Sequence, residues 1–490
     1  MLTNVVDAIG EQARRSPRTP AFVDARRRLD RAAADAAAGR AAAALAAAGI
    51  SAGQMVAVVA AGDPVLHAVT VLALARLGAT HLPLRADEPA DALRAQARML
   101  GATALVAEDD HTLGLPLVRP RMEWLEGGSD GGIPARDADD VPWIIAHSSG
   151  TTGAAKAIAV THAMEIARNA RDMQAFRHGD GEPWLTLIGP GFYNSTSAMI
   201  RCLAQGGTVV LDRSFRSVEG LIDTVERHDV GFLQLTPSHL FALVGALPEA
   251  GPRLPHLRVL RVSSAALPAA TLAATRARLT DRVHLTYGTN EAGTIAVAGP
   301  EALAAEPAGV GRPLAGIDLE LVGPDDRPVG PGETGMVRVR GPGVMAAYVG
   351  DPEATWRHCR DGWFLPGDLA VRAADGALRL KGRADRTMNI GGVLTAAEEI
   401  EAVMATHPAV VEAAVVPIPS ERYQTVPMIV VVLRGQVDLE VLRDHVRGAF
   451  RGFPIALMRA DALPRNAMGK IDYVRVAGLA AARRDSGRRG

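Results

Sequence analysis

The run HSSGTTGAAK, His147 to Lys156, directly follows the apolar VPWIIA and gathers small residues, hydroxyls and one lysine. Small residues let backbone amides turn inward around an anion. Ser148, Ser149, Thr151 and Thr152 add donors and Lys156 adds charge, so the segment reads as a phosphate cradle. It is not a Walker A loop, because Ala157 stands where that motif needs Ser or Thr. A second segment, HLTYGTNEAG, sets Tyr287 beside Gly288 to stack a planar base. Its Thr289 can donate to phosphate, and Glu291 offers the hard oxygen that Mg²⁺ prefers. A third, DGWFLPGDLA, brings Asp368 out of a Pro366–Gly367 turn, either towards paired sugar hydroxyls or merely as a turn cap. KGRADRTMNIGG combines Arg383 with Asp385, and LPRNAMGK ends at Lys470.

Lysine is scarce in this chain. Among 53 basic residues the lysines are Lys156, Lys381 and Lys470, and two of them close the first and last of these segments. Where arginine supplies nearly every cation, a retained lysine marks a place for a compact ammonium that a planar guanidinium cannot fill.

The elements that must position these residues alternate. Residues 31–49 form a helix ending at Gly49, MVAVVAAG a buried strand, 65–77 a helix and 103–107 a short strand. The pattern returns at 184–188, 207–211, 231–235, 258–262 and 282–285, which predicts stacked βαβ units with mostly parallel sheets. From about Gly309 the texture turns to Gly/Pro-punctuated strands, IDLELVG and GMVRVRGPG, and then to a shorter α+β tract holding AVVEAAVVPIP and VPMIVVVL. The expected architecture is therefore α/β. A large N-terminal domain with a β-rich subdomain spans 1–384, a small mobile α+β domain spans 385–478, and a basic tail spans 479–490.

Composition narrows the function. The chain of 490 residues is 48% hydrophobic and 22% charged, with a net charge of −1. That balance gives no attraction to nucleic-acid backbones or anionic lipid, so neither is an expected partner. No apolar run approaches the ~20 residues that span a bilayer, and the N-terminus does not read as a signal peptide. Cys202 and Cys359 lack ligand spacing, which disfavours a zinc site or disulfides and fits a cytoplasmic protein. GPGVMA departs from a dinucleotide fingerprint, and GGSDG, with Ser129, lacks the helix that a nucleophile elbow needs.

Taken together and in order, the five segments resemble those of the adenylate-forming, AMP-binding enzymes: acyl-CoA synthetases, aryl-acid ligases, peptide-synthetase adenylation domains and luciferase. The resemblance spans nearly the whole chain. It implies an ATP- and Mg²⁺-dependent ligase that turns a small carboxylic acid into an acyl-adenylate plus pyrophosphate and passes the acyl group to CoA or to a separate carrier-protein thiol. It also implies residue roles. Ser148, Ser149, Thr151, Thr152 and Lys156 hold phosphates, while Ser264, Ala265, Tyr287 and Gly288 line the adenine site. Thr289 and Glu291 serve phosphate and Mg²⁺, Asp368 and Arg383 hold the ribose, Asp385 is the hinge, and Lys470 bridges the carboxylate and the α-phosphate. The departures, Pro366, Asn389 and Ala347, remove no expected charge from the ATP site.

Tyr193 and Asn194 fall where the resemblance places the acid. Amino-acid-activating relatives show Phe-Asp there, and Asn194 cannot pair an α-ammonium as a carboxylate does. Aryl-acid relatives show His-Asn, so an aromatic or hydroxylated acid is expected, unless Asn194 only caps a helix. The alternatives are an adenylation enzyme with a non-thiol acceptor or an unusual substrate, and a non-catalytic adenylate-binding regulator.

Overall fold

The computed structural model describes the chain except residues 1, 61, 112, 128–132, 149–155, 178, 250, 266, 391–392, 421–423, 452, 467–469 and 488–490. The Ala-rich segment near the N-terminus forms the helix Arg31–Ala47, opened by the Asp30 carboxylate accepting from Ala33 N–H. Ala34, Ala37, Ala38, Ala41, Ala42 and Leu45 recur at helical spacing and are buried. Their small side chains let it lie close against the helix Pro64–Leu77, which is buried almost all round. Asp63 caps that second helix, Pro64 starts it, and Gly78 ends it in the left-handed conformation (φ +69°).

These helices cover a sheet of six strands among the described residues. Its order is Leu117–Val118, Ala104–Val106, Met55–Val59, Thr80–Leu84, Pro142–Ser148 and Lys156–Thr161. The pairings are parallel until the last, where Pro142–Ser148 and Lys156–Thr161 form an antiparallel hairpin. A second, longer sheet runs parallel through Pro20–Val23, Thr208–Val210, Pro183–Thr186, Phe232–Leu235, Val259–Ser263 and Val283–Thr289. It then continues antiparallel through Gly293–Ala298 and Gly309–Pro313 into the β-rich part, where Leu378–Arg383, Asp368–Arg372 and Thr334–Arg340 pair.

From Thr387 onward a separate sheet forms, built on the long antiparallel pair Val410–Ser420 and Gln424–Leu433. Its strands alternate strictly. Val415 packs with Ile400, Met404, Leu442 and Val446 on one face, while Ala414 and Val416 pack with Val476 and Ala480 on the other. The segment expected to begin a basic tail at 479 is the second half of the helix Tyr473–Gly487, and buried Ala480 anchors it to that second face.

Candidate active site

Parallel α/β sheets bind ligands beyond the carboxyl ends of their strands, and that is where these segments converge. Pro142–Ser148 ends at the expected phosphate loop, Val259–Ser263 runs into Ser264, and Val283–Thr289 runs into Glu291. Ser148 pairs with Lys156 across the hairpin, which puts both ends of the loop on one strand pair. Ser149, Thr151 and Thr152 lie outside the described residues. Asn290 ties the first two segments together, its side-chain amide donating to the His147 carbonyl at 2.7 Å.

The Glu291 segment is held from below. Gly288 leaves no room for a side chain, since a Cβ there would collide with the Gly293 carbonyl across the turn. Thr289 Oγ1 accepts from Ala292 N–H at 3.1 Å. The Glu291 carbonyl accepts from Arg168 Nη2 (2.8 Å) and from Met345 N–H (2.9 Å), and Arg171 Nη2 reaches the Ala292 carbonyl at 2.6 Å. The Glu291 side chain is buried, and its Oε1 accepts from the Tyr348 hydroxyl at 3.0 Å.

Beneath this loop lies a buried charge cluster. Arg168 Nη1 donates to the Tyr193 hydroxyl (2.7 Å), which in turn donates to Glu165 (2.6 Å), while Asp172 pairs with Arg201 and with Arg261. Burial pulls Arg201 down to about 9 and Arg171 and Arg261 to about 10, so all three stay charged at neutral pH. With Arg168 they outnumber Glu165 and Asp172, and the excess positive charge favours anions above the loop.

On the β-rich side, Asp368 Oδ2 accepts from the Tyr287 hydroxyl at 2.7 Å, and Oδ1 stands 3.5 Å from Arg383. Burial raises the Asp368 carboxyl above the ordinary carboxylate range, and Tyr287 and Arg383 only partly offset this. Gly367 adopts φ +83°, and the Arg383 guanidinium lies against it. Arg383 also grips both oxygens of Asp385 (3.1 and 3.2 Å) and donates to the Pro366 carbonyl (2.9 Å). The ribose and hinge candidates therefore form one hydrogen-bonded unit.

Lys470 arrives from the C-terminal sheet. Its loop is closed by Lys470 N–H to Asn466 Oδ1 (3.1 Å) and Asn466 N–H to the Lys470 carbonyl (2.8 Å). Burial lowers the pKa of its ammonium, opposed by the Glu291 and Asp368 carboxylates, while Arg383 also lowers it. The charges of Glu291, Asp368 and Arg383 thus act on Lys470 from the other side of the join. Across the join, Lys381 pairs with Glu399 at 3.0 Å.

A cavity of about 540 Å³ is lined in part by Arg85, Phe192, Thr236, His239 and Ser264, the residue at the end of Val259–Ser263. Ser264 takes φ +83°, a conformation non-glycine residues seldom hold. Ala265 is exposed next to it. Tyr193 requires a correction. It was expected at the acid, but its hydroxyl is engaged by Glu165 and Arg168 in the core, and Phe192 faces the cavity instead. Asn194 is not a helix cap, since its helix starts at Tyr193 with Phe192 at the uncapped end. Its Oδ1 accepts from Gln234 Nε2 at 3.2 Å. Gln234 Oε1, Ser263 Oγ and Thr286 Oγ1 are buried with no hydrogen-bond partner among the described residues. All three sit on one face of the sheet, as the pairings Gln234↔Arg261 and Ser263↔Thr286 require.

With this geometry in view, the comparisons with known proteins decide the family. The AMP-binding enzyme model matches residues 9–349, and the AMP-binding enzyme C-terminal domain model matches residues 399–470. The chain belongs to the AMP-binding enzyme family. It is an AMP-forming acid–thiol ligase of the acyl- or aryl-CoA and carrier-protein-loading kind. It is 29% identical to an indoleacetate–CoA ligase of Aromatoleum aromaticum over 432 residues, covering 82% of this chain and 84% of the relative. It is 28% identical to a medium/long-chain-fatty-acid–acyl-carrier-protein ligase of Mycobacterium tuberculosis over 477 residues, 88% and 86% of the two chains. An o-succinylbenzoate CoA synthetase from Bacillus subtilis, solved with its acyl-adenylate intermediate, superposes with a TM-score of 0.85. That match covers 95% of this chain and 96% of the other at 23% identity, a likeness of fold.

Sequence reasoning left Arg168, Gln234, Tyr348 and His358 without roles. The first two lie on core helices or strands with no motif around them. Tyr348 and His358 precede DGWFLPGDLA, whose pattern points only to Asp368.

Proposed function

We propose that this enzyme activates a hydroxylated aromatic carboxylic acid and transfers it to the thiol of CoA, with a carrier-protein thiol as the competing acceptor. The observation that carries the substrate class is the Asn194–Gln234 pair. Their mutual hydrogen bond uses one amide oxygen and one amide nitrogen. Whichever way the two amides are turned, one donor and one acceptor remain unspent. A hydroxyl accepts from the first and donates to the second. An α-ammonium finds no carboxylate there, and an unsubstituted aliphatic tail leaves a buried polar atom unpaired at a cost of about 1–3 kcal/mol.

In this reading Lys156, with Ser148, Ser149, Thr151 and Thr152, holds the ATP phosphates. Ser264, Ala265, Tyr287 and Gly288 border the adenine, and Asp368 with Arg383 takes the ribose hydroxyls. Thr289 steadies the phosphates and Glu291 would hold Mg²⁺. No group of three or more His, Cys, Asp or Glu side chains among the described residues could cage a metal. The ion would therefore rest on Glu291 and the substrate phosphates, as Mg²⁺ commonly does. When bound, it supplies positive charge against the two anions that must meet.

The acid's carboxylate oxygen attacks the α-phosphorus and the bond to pyrophosphate breaks. Lys470 neutralises the oxygens on both partners and aligns them; alignment of this kind is worth up to about 7–11 kcal/mol in the best intramolecular cases. The C-terminal domain then turns about Asp385, withdrawing Lys470 and admitting the thiol. Sulfur attacks the acyl carbon and AMP leaves. Cys202 and Cys359 are unpaired, which supports a reducing cytoplasm, and no described helix is long and apolar enough to cross a membrane.

The test is acid-dependent pyrophosphate release across hydroxybenzoates, their deoxy analogues, aliphatic acids and α-amino acids, with and without CoA. A hydroxylated aryl acid should exceed its deoxy analogue about tenfold in kcat/KM, as one buried hydrogen bond requires. That preference should collapse in Gln234→Leu. Equal turnover of both acids, or a preference untouched by Gln234→Leu, refutes the substrate assignment.

A further inference from the structure

Lys156 is not loose at the end of its loop. Its Nζ lies 3.1 Å from His358 Nε2 and 5.2 Å from the centre of the Tyr348 ring. His358 comes from a segment 202 residues away in sequence, the end of the helix Pro352–His358. Its Nδ1 stands 2.9 Å from the Leu365 carbonyl, which can only accept, so the proton of the neutral ring is on Nδ1. Nε2 then carries a lone pair and faces the ammonium. The Leu365 N–H returns to the His358 carbonyl at 2.7 Å, which clamps the imidazole by its own backbone. The ring also packs edge-on against Tyr348, centroids 5.9 Å apart, and the Tyr348 hydroxyl holds Glu291. Val349 N–H, next to Tyr348, donates to the carbonyl of Ala157, next to Lys156, at 2.9 Å.

From this arrangement we propose that His358 is a positioning residue for Lys156. Through Nε2 it accepts one of the three ammonium N–H bonds, orders the lysine chain before ATP arrives, and leaves two N–H bonds for the phosphates. A lysine side chain loses much rotamer freedom when fixed. Here that ordering is built into the fold rather than charged against nucleotide binding. Tyr348 makes the device a hub, because the same ring supports Lys156 on the phosphate side and Glu291 on the metal side. The inference rests on the reading of Lys156 as a phosphate ligand.

The experiment is a double-mutant cycle on KM for ATP, with transfer of preformed acyl-adenylate to CoA as the internal control. His358→Leu removes the acceptor and should raise KM for ATP about tenfold, the value of one charge-assisted hydrogen bond. Transfer from the adenylate should be unchanged. His358→Gln restores an acceptor and should stay within about threefold of the parent enzyme, given the context dependence of single hydrogen bonds. In a Lys156→Met background, His358→Leu should add nothing. Equal effects of His358→Leu with and without Lys156, or an unchanged KM, overturn the inference while leaving Lys156 a phosphate ligand. If Lys156→Met itself leaves KM for ATP untouched, the phosphate reading fails first and the inference falls with it.

Discussion

Glu291 and Lys470 act on one another's charge, yet they are supported in opposite ways. Glu291 sits just past a central strand, with its carbonyl taken by Arg168 and Met345 and its carboxylate by Tyr348. Below it lies a buried cluster whose members bond one another. Lys470 stands on a short loop closed by Asn466, by an Arg465–Ile471 bridge and by Asp472 N–H to the Pro464 carbonyl, beside a sheet with a hydrophobic core of its own. Between the two, Lys381 pairs with Glu399 across the join, while just past it Arg386 is held inside the C-terminal part by the largely buried Glu398 and Glu401 at 2.5 and 2.6 Å. The difference teaches how the work is divided. In the proposed reaction, charge needed throughout is built into the larger sheet, and charge needed for one step is delivered from a separate sheet.

The sharpest way to break this comparison from the rigid side is Glu291→Gln. The amide still accepts from Tyr348, so the fold keeps its contact, but the negative charge is gone. Adenylation should slow by about 10²–10³, the range for loss of one preorganised electrostatic group. Rapid-quench measurement of acyl-adenylate formation gives the rate, and a loss under fivefold would show that Glu291 is not the fixed charge. A smaller effect probes the join. Lys381→Ala removes a half-exposed pair worth at most about 1 kcal/mol. It should change the ratio of adenylation to transfer rates by less than about fivefold and leave the melting temperature alone. A drop of tenfold or more in both half-reactions would mean that the join is structural rather than a latch.

Much of this was legible from residue type and order. The βαβ alternation announces the parallel sheets, because buried strands read as short apolar runs between Gly-stopped helices. Glu291, Asp368, Arg383 and Lys470 stand out less by themselves than by the order of their segments, since a charged residue beside a glycine turn also reads as a turn cap or a solvated loop. What stayed hidden is what depends on long-range packing. Arg168 and Gln234 look like an ordinary helix arginine and an ordinary strand glutamine; only burial under the Glu291 loop and beside Asn194 gives them meaning. Tyr193 misled because adjacent helix positions face about 100° apart, so the resemblance located the turn but not which side chain enters the cavity. The helix through 487 was hidden by its arginines, which mask Val476 and Ala480 as its buried face.

The central claim is that Lys470 serves one half-reaction and is absent from the other. The direct measurement takes Lys470→Ala and compares acyl-adenylate formation from ATP and acid with CoA acylation from synthetic acyl-adenylate. The account predicts that the first falls by at least about 10²-fold while the second stays within about threefold of the parent enzyme. Equal losses in both half-reactions, or full adenylation without the lysine, would contradict it.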